Sequence, residues 1–416
     1  MNERTTIQQN KDEPELSLRS DLSSDRGIVE PVSQGKLIWR RFKHHKLGLI
    51  GLFVIALITL VVLFADFLSP YDYSRGHKNF SYVPPMLGRI HLFDQDGHFV
   101  GPFVYGINQV QVIDPISGRP RPGVYAWEND PQVKCPIHFF PQGEDYRFLG
   151  LVKTSTRLFG AREEGRVVPI DQLEGSPCQL FMFGTDKQGY DVYSMTLMGG
   201  RVSLSIGPLV ILAAFFVGIL MGGISGYYGG AVDTLIQRIV EIFMSLPRLA
   251  LLLALSLILS AYKVEPITRY WGIVGIIALV SWAPLARVIR GQFLALREEE
   301  FVTAAKAVGT GDLRVILRHI LPNITSYVVV AATLTIPNVI ILESILSFLG
   351  FGIRFPMVSW GLLVQAANHQ SDLQFHPWFL IPAIFIVLTV LAFNFMGDAL
   401  RDAVDPFTVT GIKQDK

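Results

Sequence analysis

The feature that most constrains this fold is a series of apolar stretches, each long enough to cross a membrane. About 20 apolar residues span a bilayer as a helix. Such stretches occupy Leu47–Ser69, Ser205–Gly226, Glu241–Tyr262, Tyr270–Val288, Tyr327–Phe348 and Trp378–Met396. Within the hydrocarbon, every backbone N–H and C=O must find a partner inside the protein, which favours helices. We therefore predict an all-α polytopic membrane protein with about six transmembrane helices.

Composition agrees with a membrane protein and excludes several other classes. The 416 residues are 50% hydrophobic and only 17% charged, and the mean hydropathy is +0.38, values that a soluble globular chain seldom reaches. The net charge is +1, and no basic, aromatic-interleaved tract indicates nucleic-acid binding. The two cysteines are too few for a cysteine-based zinc site. We expect no metal and no cofactor on this chain.

The N-terminal region predicts how the chain enters the membrane. Residues 1–34 are polar and are predicted to form a disordered cytosolic tail. A basic anchor and the first transmembrane helix follow at 35–70, and the apolar run there is too long for the core of a signal peptide. Five Lys and Arg residues between Lys36 and Lys46 keep the N-terminus inside. Residues 408–416 are then a cytosolic tail.

Residues 71–182 differ in composition from the rest and predict a small β-rich extracytoplasmic insertion. Short strand-like pieces flank turns at Asp96-Gly97, at 114–118 and at 141–143. Cys135 and Cys178 both fall in this insertion, and the outside is oxidising, so we predict that they form a disulfide. Two unpaired thiols are the alternative.

The polar loop 287–326, inside the predicted permease core at 183–407, reads as two short helices. Gly309 stands where a helix stop needs a positive φ, Asp312 is a candidate N-cap, and Pro322 is expected to end the second helix. The apolar residues fall on one face of each helix. These sets are Phe301, Ala304, Ala305 and Val308 in the first, and Leu313, Ile316, Leu317, Ile320 and Leu321 in the second. A connector lying on the membrane surface is one interpretation of this pattern.

A resemblance gives a second interpretation. The run Thr303-Ala304-Ala305, then three residues, Gly309, nine residues and His319-Ile320-Leu321-Pro322 is similar to the EAA loop of ABC importer permeases, with Thr303 in place of the motif's Glu. The His-Ile-Leu-Pro ending resembles the dipeptide, oligopeptide and nickel branch. This resemblance implies that the loop couples to an ATPase, as a helix seated in a groove. The residues it implicates are Phe301, Thr303, Ala304, Ala305, Gly309, Asp312, His319, Leu321 and Pro322.

Further segments resemble the same branch in the same order, over about Gly35–Pro70 and Phe181–Phe407. They are the runs at 184–192 and 200–204, Gly226-Tyr227-Tyr228-Gly229-Gly230 with Asp233, the run 346–352, Ser359-Trp360-Gly361, and 393–406. In the first run, Asp186 and Asp191 are interpreted as local caps of a Gly-rich turn, with a metal site as the weaker alternative.

The resemblance implies a transport subunit of an ATP-driven, binding-protein-dependent importer, and not an enzyme. Its expected partners are a sister permease, two ATPase subunits, an extracytoplasmic substrate-binding protein and the lipid bilayer. The expected location is the bacterial inner membrane, with both termini cytosolic. Oligopeptides or dipeptides are the expected substrates, and oligosaccharides or a nickel chelate are the alternatives. The chain has no Gly-x-x-x-x-Gly-Lys-Ser/Thr phosphate loop, so ATP hydrolysis is expected on separate chains.

Three polar residues inside the predicted spans are candidates for the substrate path: Glu343, Asn338 and Asn394. An ionisable residue within a membrane segment is a functional candidate because its burial is costly. A structural carboxylate held by helix ends or by a partner subunit is the alternative for Glu343. An ion-coupled secondary transporter, a rival of another class, would need buried carboxylates at the midplane and inverted repeats. Neither is clear in the sequence.

Overall fold

The computed structural model describes residues 34–76, 78–94, 97–113, 119–148, 150–161, 178–368 and 370–405. The predicted tails therefore lie outside the described residues, apart from Gln34, as does the predicted turn at 114–118. The helices are α1 (Gln34–Phe42), α2 (Lys46–Leu63), α3 (Ala65–Leu68), α4 (Val192–Tyr228), α5 (Gly230–Ser245), α6 (Arg248–Ala261), α7 (Pro266–Leu296), α8 (Glu300–Ala307), α9 (Asp312–Val315), α10 (Leu321–Phe348), α11 (Trp360–Val364), α12 (Gln370–Phe375) and α13 (Ile381–Val404).

Within these residues, five helical segments are long and apolar enough to cross a membrane, and a bent pair adds a sixth if it counts as one span. This agrees with the predicted number. The prediction of one continuous helix over Glu241–Tyr262 was wrong, because α5 and α6 meet at 86°. Pro247 lacks an N–H and keeps the preceding residue out of the helical region. Leu246 accordingly has φ −81° and ψ 138°.

Helix α4 is much longer than the predicted span Ser205–Gly226. It begins at Val192, after Asp191, whose carboxylate accepts a hydrogen bond from the Ser194 N–H as an N-cap. The added turns carry small and polar side chains that are buried inside the protein. There the Trp360 indole N–H donates to the Thr196 carbonyl at 2.9 Å. Sequence polarity alone places these turns outside the membrane span, and their packing makes them helical.

The predicted stop at Pro322 was also wrong. The chain runs from α9 through a π-helical turn at Ile316–Ile320 directly into α10, with Pro322 in the first turn of that helix. A proline fits there because the first N–H groups of a helix need no helical partner. Helix α9, the π-helical turn and α10 therefore form one continuous helical segment, Asp312–Phe348.

Glycines bring α4 and α7 together. A Cβ added at Gly222 would collide with the Ala286 carbonyl, and one added at Gly226 would meet the Arg290 carbonyl at 2.7 Å. Small residues four apart permit this close approach of helices. Because the two backbones touch, α4 and α7 are expected to move as one body.

Between α3 and α4 lie β1 (His91–Phe93), β2 (Phe99–Ile113), β3 (Pro120–Phe139), β4 (Gln142–Phe148), β5 (Val152–Thr156) and β6 (Phe159–Ala161). The described strands form an antiparallel sheet in the order β1-β2-β3-β6, and β4 and β5 form a separate hairpin. We call β1–β6 the strand domain. The predicted turn at Asp96-Gly97 lies between β1 and β2, where Gly97 has φ 81°.

The strand domain is fastened to the segment that leads into α4. The structure places Cys135 and Cys178 in a disulfide, with their Cα atoms 5.2 Å apart. Beside them, the Leu180 N–H donates to the Tyr71 hydroxyl at 3.1 Å. Both cysteines belong to a buried cluster that includes Phe80 and Phe181.

Candidate functional site

The predicted apolar face of α8 is turned outward. Phe301 and Ala304 are exposed, Ala305 is half-buried, and Val308, just past the helix, is 87% exposed. The buried residue of this helix is Val302. The helix therefore presents a shallow apolar surface to its surroundings.

Helix α9 and the π-helical turn continue that surface, but the predicted single stripe is split. Leu313 and Leu317 are exposed, with Leu317 at 54%. Val315 and Ile320 are fully buried instead. The π-helical turn explains the split, since the Leu321 N–H bonds to Ile316 five residues back and so changes the periodicity.

We call α8, α9, the residues between them and the π-helical turn Ile316–Ile320 the loop helices. The turn between α8 and α9 requires Gly309, whose φ is 86°, as predicted. Beside α9 lies an open cleft of about 790 Å³, lined by Gly311, Asp312, Leu313, Arg314, Leu317, Arg318 and Pro322. The lining combines apolar side chains and one carboxylate with two arginines, which suits an apolar segment that also carries a negative charge.

Buried side chains fasten the loop helices to the spans. Val302, Val315 and Ile320 share a core cluster with Ile289 and Phe293 of α7. Burying each of these side chains stabilises the attachment by about 1.5–3 kcal/mol. The loop helices therefore cannot shift without moving α7.

A polar contact adds to this attachment and corrects one prediction. Asp312 is not the N-cap of α9, because Gly311 precedes the helix. Its carboxylate accepts a hydrogen bond from the Tyr227 hydroxyl at 2.6 Å, and the Lys306 ammonium lies 4.7 Å from the centre of the Tyr227 ring. Since Tyr227 is in the last turn of α4, this contact ties the loop helices to α4 as well.

The remaining predicted loop residues have local roles. The Thr303 hydroxyl donates to the Glu300 carbonyl at 2.9 Å. The His319 carbonyl accepts from the Asn323 side chain at 2.6 Å, and Leu321 and Pro322 begin α10. The Thr303 hydroxyl therefore bonds back to its own helix, three residues earlier, where a Glu would extend outward.

An ion pair that the sequence did not reveal stands next to this region. Arg290 of α7 binds both carboxylate oxygens of Asp233 in α5. Asp233 also accepts from Ser225 of α4. A bidentate Arg–carboxylate pair fixes geometry as well as adding energy. The sequence offers one signal, which is that Asp233 follows the Gly-Tyr-Tyr-Gly-Gly run of the family resemblance. This signal indicates Asp233 as a candidate but does not identify Arg290 as its partner.

The three candidates for the substrate path do not form one site. Glu343 is fully buried, and its Oε1 accepts from the Ser347 hydroxyl at 2.6 Å. Asn338 lies about 140° around α10 from Glu343, where it is exposed and its amide donates to the Leu334 carbonyl. Asn394 is half-buried on α13. Within the described residues, the Glu343 Oε2 is buried without a hydrogen-bond partner, so a substrate contact and a structural carboxylate both stay predictions for Glu343.

At the opposite end of the bundle lies a second cavity, of about 520 Å³, whose lining includes Asp186, Tyr190, Met195, Phe355 and Gln365. The Asp186 carboxylate accepts from the N–H groups of Gln188 and Tyr190, both at 2.8 Å. Asp186 thus caps the turn, as predicted. Burial raises its pKa to about 6 against these hydrogen bonds.

Comparison with known proteins decides the family. Residues 214–409 match the family described as binding-protein-dependent transport system inner membrane component, and residues 33–85 match the N-terminal transmembrane domain of oligopeptide transport permease C. The dipeptide transport system permease protein DppC of Bacillus subtilis is 39% identical over 225 residues, 54% of this chain and 68% of its own. The chain belongs to this permease family. The motif resemblance is thereby confirmed.

Other relatives agree with this permease assignment. The oligopeptide transport system permease proteins OppC of Haemophilus influenzae and Escherichia coli are 42% and 41% identical over 225 residues, 54% of this chain and 70% and 72% of their own. An inward-facing structure of the MetNI methionine ABC transporter is 18% identical, with a TM-score of 0.40, over 51% of this chain and 96% of that one. A TM-score this low supports no conclusion from that structure. The protein is thus a multi-pass permease of the inner-membrane family.

The two family matches bracket the strand domain without covering it. Neither reaches the residues between 85 and 214. The loop helices, by contrast, lie wholly inside the longer match.

Proposed function

We propose that this permease is one of two membrane subunits of an ATP-driven importer of oligopeptides or dipeptides. Its partners in this proposal are a sister permease, two cytosolic ATPase subunits and a substrate-binding protein outside. The support for the substrate is that the relatives above are named as dipeptide and oligopeptide permeases. An oligosaccharide or a nickel chelate would use the same architecture and remains the alternative cargo.

In the proposed topology both termini and the loop helices are cytosolic, whereas 71–182 is an insertion outside. The permease core is 183–407. The basic cluster before α2 and the arginines at 287, 290, 297, 314 and 318 support this orientation. In intact cells, a membrane-impermeant thiol reagent should label Phe99→Cys and should not label Leu313→Cys, since both positions are exposed. The opposite pattern would reverse the topology.

One observation carries the coupling proposal: the loop helices expose apolar side chains although they are firmly fixed to two spans. Exposed apolar patches beside a cleft mark protein–protein interfaces. The apolar side chains exposed on this surface are Phe301, Val308, Leu313 and Leu317. We assign this surface to the ATPase subunit.

The mechanism follows from the attachments. ATP binding closes the two ATPase subunits and moves the docked α8. Val302 and the Tyr227–Asp312 hydrogen bond pass this displacement to α7 and α4. Because α4 and α7 move together, the bundle swings from inward- to outward-facing, and hydrolysis resets it.

Co-purification tests the docking surface. The variant Val308→Asp/Leu317→Asp should retain at most about a tenth of the ATPase subunit, since burying an unpaired charge in an interface costs several kcal/mol. Phe99→Asp, a charge added at an equally exposed position of the strand domain, is the matched control and should retain all of it. Full retention by the double variant would refute the assignment.

A further inference from the structure

The β4–β5 hairpin has an apolar tip where a hairpin exposed to water carries polar residues. Residues 148–152 read Phe-Leu-Gly-Leu-Val. Leu151 is 85% exposed, and Val152 is also exposed. Nearby, Phe140 is 64% exposed and has φ 56°, a conformation that a bulky residue adopts rarely. We call Phe140, Phe148, Leu151 and Val152 the apolar edge.

Aromatic contacts place the apolar edge at the end of the first span. The rings of Phe148 and Phe64 are 5.4 Å apart, and those of Phe140 and Phe67 are 6.2 Å apart. Phe64 caps the C-terminus of α2. Both rings of the edge therefore rest on the single turn that follows α2.

Several hydrogen bonds fix this position. The buried Arg157 guanidinium donates to the carbonyls of Asp66 at 2.7 Å and Ser69 at 3.1 Å. The Leu158 N–H donates to the Phe67 carbonyl at 2.8 Å. The hairpin is thus held to α3 by bonds to its backbone and cannot swing away without breaking them.

The length of α2 sets the depth of the edge in the membrane. Its 18 residues rise about 27 Å, close to the roughly 30 Å of a bilayer's hydrocarbon core. Phe64 therefore lies near the outer boundary of the hydrocarbon. The exposed Phe53, Leu57 and Leu60 precede it on the same face of α2, since offsets of four, seven and eleven residues return to one side of a helix.

The apolar edge continues that exposed face of α2 beyond the end of the helix. We propose that the apolar edge inserts into the outer leaflet of the bilayer and anchors the strand domain on the lipid surface. An interfacial segment of this kind buries its apolar side chains at the level of the headgroups and first acyl carbons. The inference requires that α2 spans the bilayer, but it does not require any particular cargo or partner.

Spin-label accessibility tests this anchor. The native cysteines are bonded to each other, so Leu151→Cys gives the full-length permease a single reactive thiol. The labelled protein, with the subunits that co-purify, is reconstituted into phosphatidylcholine–phosphatidylglycerol vesicles. Collision rates are then measured with oxygen, which concentrates in lipid, and with a water-soluble nickel chelate. Val152→Cys repeats the measurement in case Leu151→Cys fails to fold, and Phe99→Cys on the β1–β2 hairpin is the control.

The expected result is a ratio of oxygen to nickel collisions above one at 151 and 152 and below one at 99. A ratio below one at all three positions places the edge in water and overturns the proposal. Protection of 151 and 152 from both reagents means that a protein subunit covers the edge, which also overturns it. Neither failure bears on peptide import, because the docking test uses a different end of the molecule.

Discussion

The two ends of this permease carry exposed apolar side chains, but they are attached to the bundle in different ways. The loop helices are held by side chains packed between the spans, namely Val302, Val315 and Ile320. The strand domain is held by a disulfide and by Arg157 bonded to backbone carbonyls of α3. In the proposed mechanism the first attachment passes movement into α4 and α7, whereas the second fixes a domain beside α2.

This difference teaches that exposed apolar surface has no single meaning in a membrane protein. On the loop helices it lies within the family match, next to a cleft with arginines. On the β4–β5 hairpin it lies outside both family matches and beside the end of a span. We expect changes at the loop helices to affect transport without affecting stability, and changes at the strand domain to do the reverse.

The largest expected effect is that of Gly309→Val. A valine at φ 86° costs about 1–2 kcal/mol, so the turn should leave this conformation and misplace α8. Restoring the turn on docking would lower the affinity by about five- to thirtyfold, so we expect transport to be nearly abolished. Gly275→Val is the matched control, because Gly275 lies inside α7, away from the cleft, without a positive φ, and an added Cβ meets nothing within 4 Å at either glycine. Uptake in cells with equal membrane levels of both variants is the measurement. Equal transport by the two variants would show that the loop conformation at Gly309 is not needed for coupling to the ATPase subunits.

Removing the disulfide tests the other end. The variant Cys135→Ala/Cys178→Ala frees a loop with a sequence separation of 43, so it should lower the free energy of unfolding of the strand domain by about 4 kcal/mol. Limited proteolysis of the purified protein reports this loss. Wild-type protein treated with reductant is the control and should be cleaved equally fast. Loss of the bound ATPase subunit in this variant would contradict the division between the two ends.

Arg157→Met should have an effect of comparable size at the same end. The substitution removes charged hydrogen bonds to the carbonyls of Asp66 and Ser69, each worth about 1.5–3 kcal/mol. Arg147→Met, at an exposed position of β4, is the control and should change stability little. Thermal unfolding of the strand domain compares them. Equal melting temperatures would show that Arg157 does not hold the hairpin to α3.

The smallest expected effect concerns the turn before α4. Burial raises the pKa of Asp191 to about 6 from 3.8, although Ser194 hydrogen bonds oppose the shift. The folded protein thus binds this proton more tightly than the unfolded one, so stability falls as the pH rises from about 4 to about 6. Asp191→Asn keeps the cap and should make the fall in stability with pH shallower. The part of the fall that remains comes from Asp186. Asp191→Ala removes the cap and should lower the free energy of unfolding by about 1 kcal/mol. Melting temperatures across this pH range measure both, and an unchanged slope in Asp191→Asn would exclude Asp191 as its source.

Local sequence signals predicted those features that depend on one or two residues. The positive φ of Gly309, the turn at Gly97 and the caps at Asp186 and Asp191 follow from residue type and neighbours. The spans followed from their apolar length. The family followed from motif order, which places residues in sequence without fixing their contacts.

The remaining features depend on packing that no local pattern encodes. The buried start of α4 is helical because Trp360 and its neighbours surround it. Asp312 meets Tyr227, 85 residues away, instead of capping its own helix. Val315, just before the π-helical turn, and Ile320, at its end, are buried, whereas Leu317 within it is exposed. The partners in these contacts come from distant parts of the chain, and a single sequence does not identify them.

Peptide uptake into vesicles tests the central claim most directly, namely that ATPase closure moves this permease through its loop helices. The permease and its sister subunit are reconstituted with or without the ATPase subunits, and accumulation against a gradient is measured with ATP and the binding protein present. The account predicts uphill uptake only with the ATPase subunits, and its loss in Val308→Asp/Leu317→Asp. Uphill uptake without any ATPase subunit would contradict it.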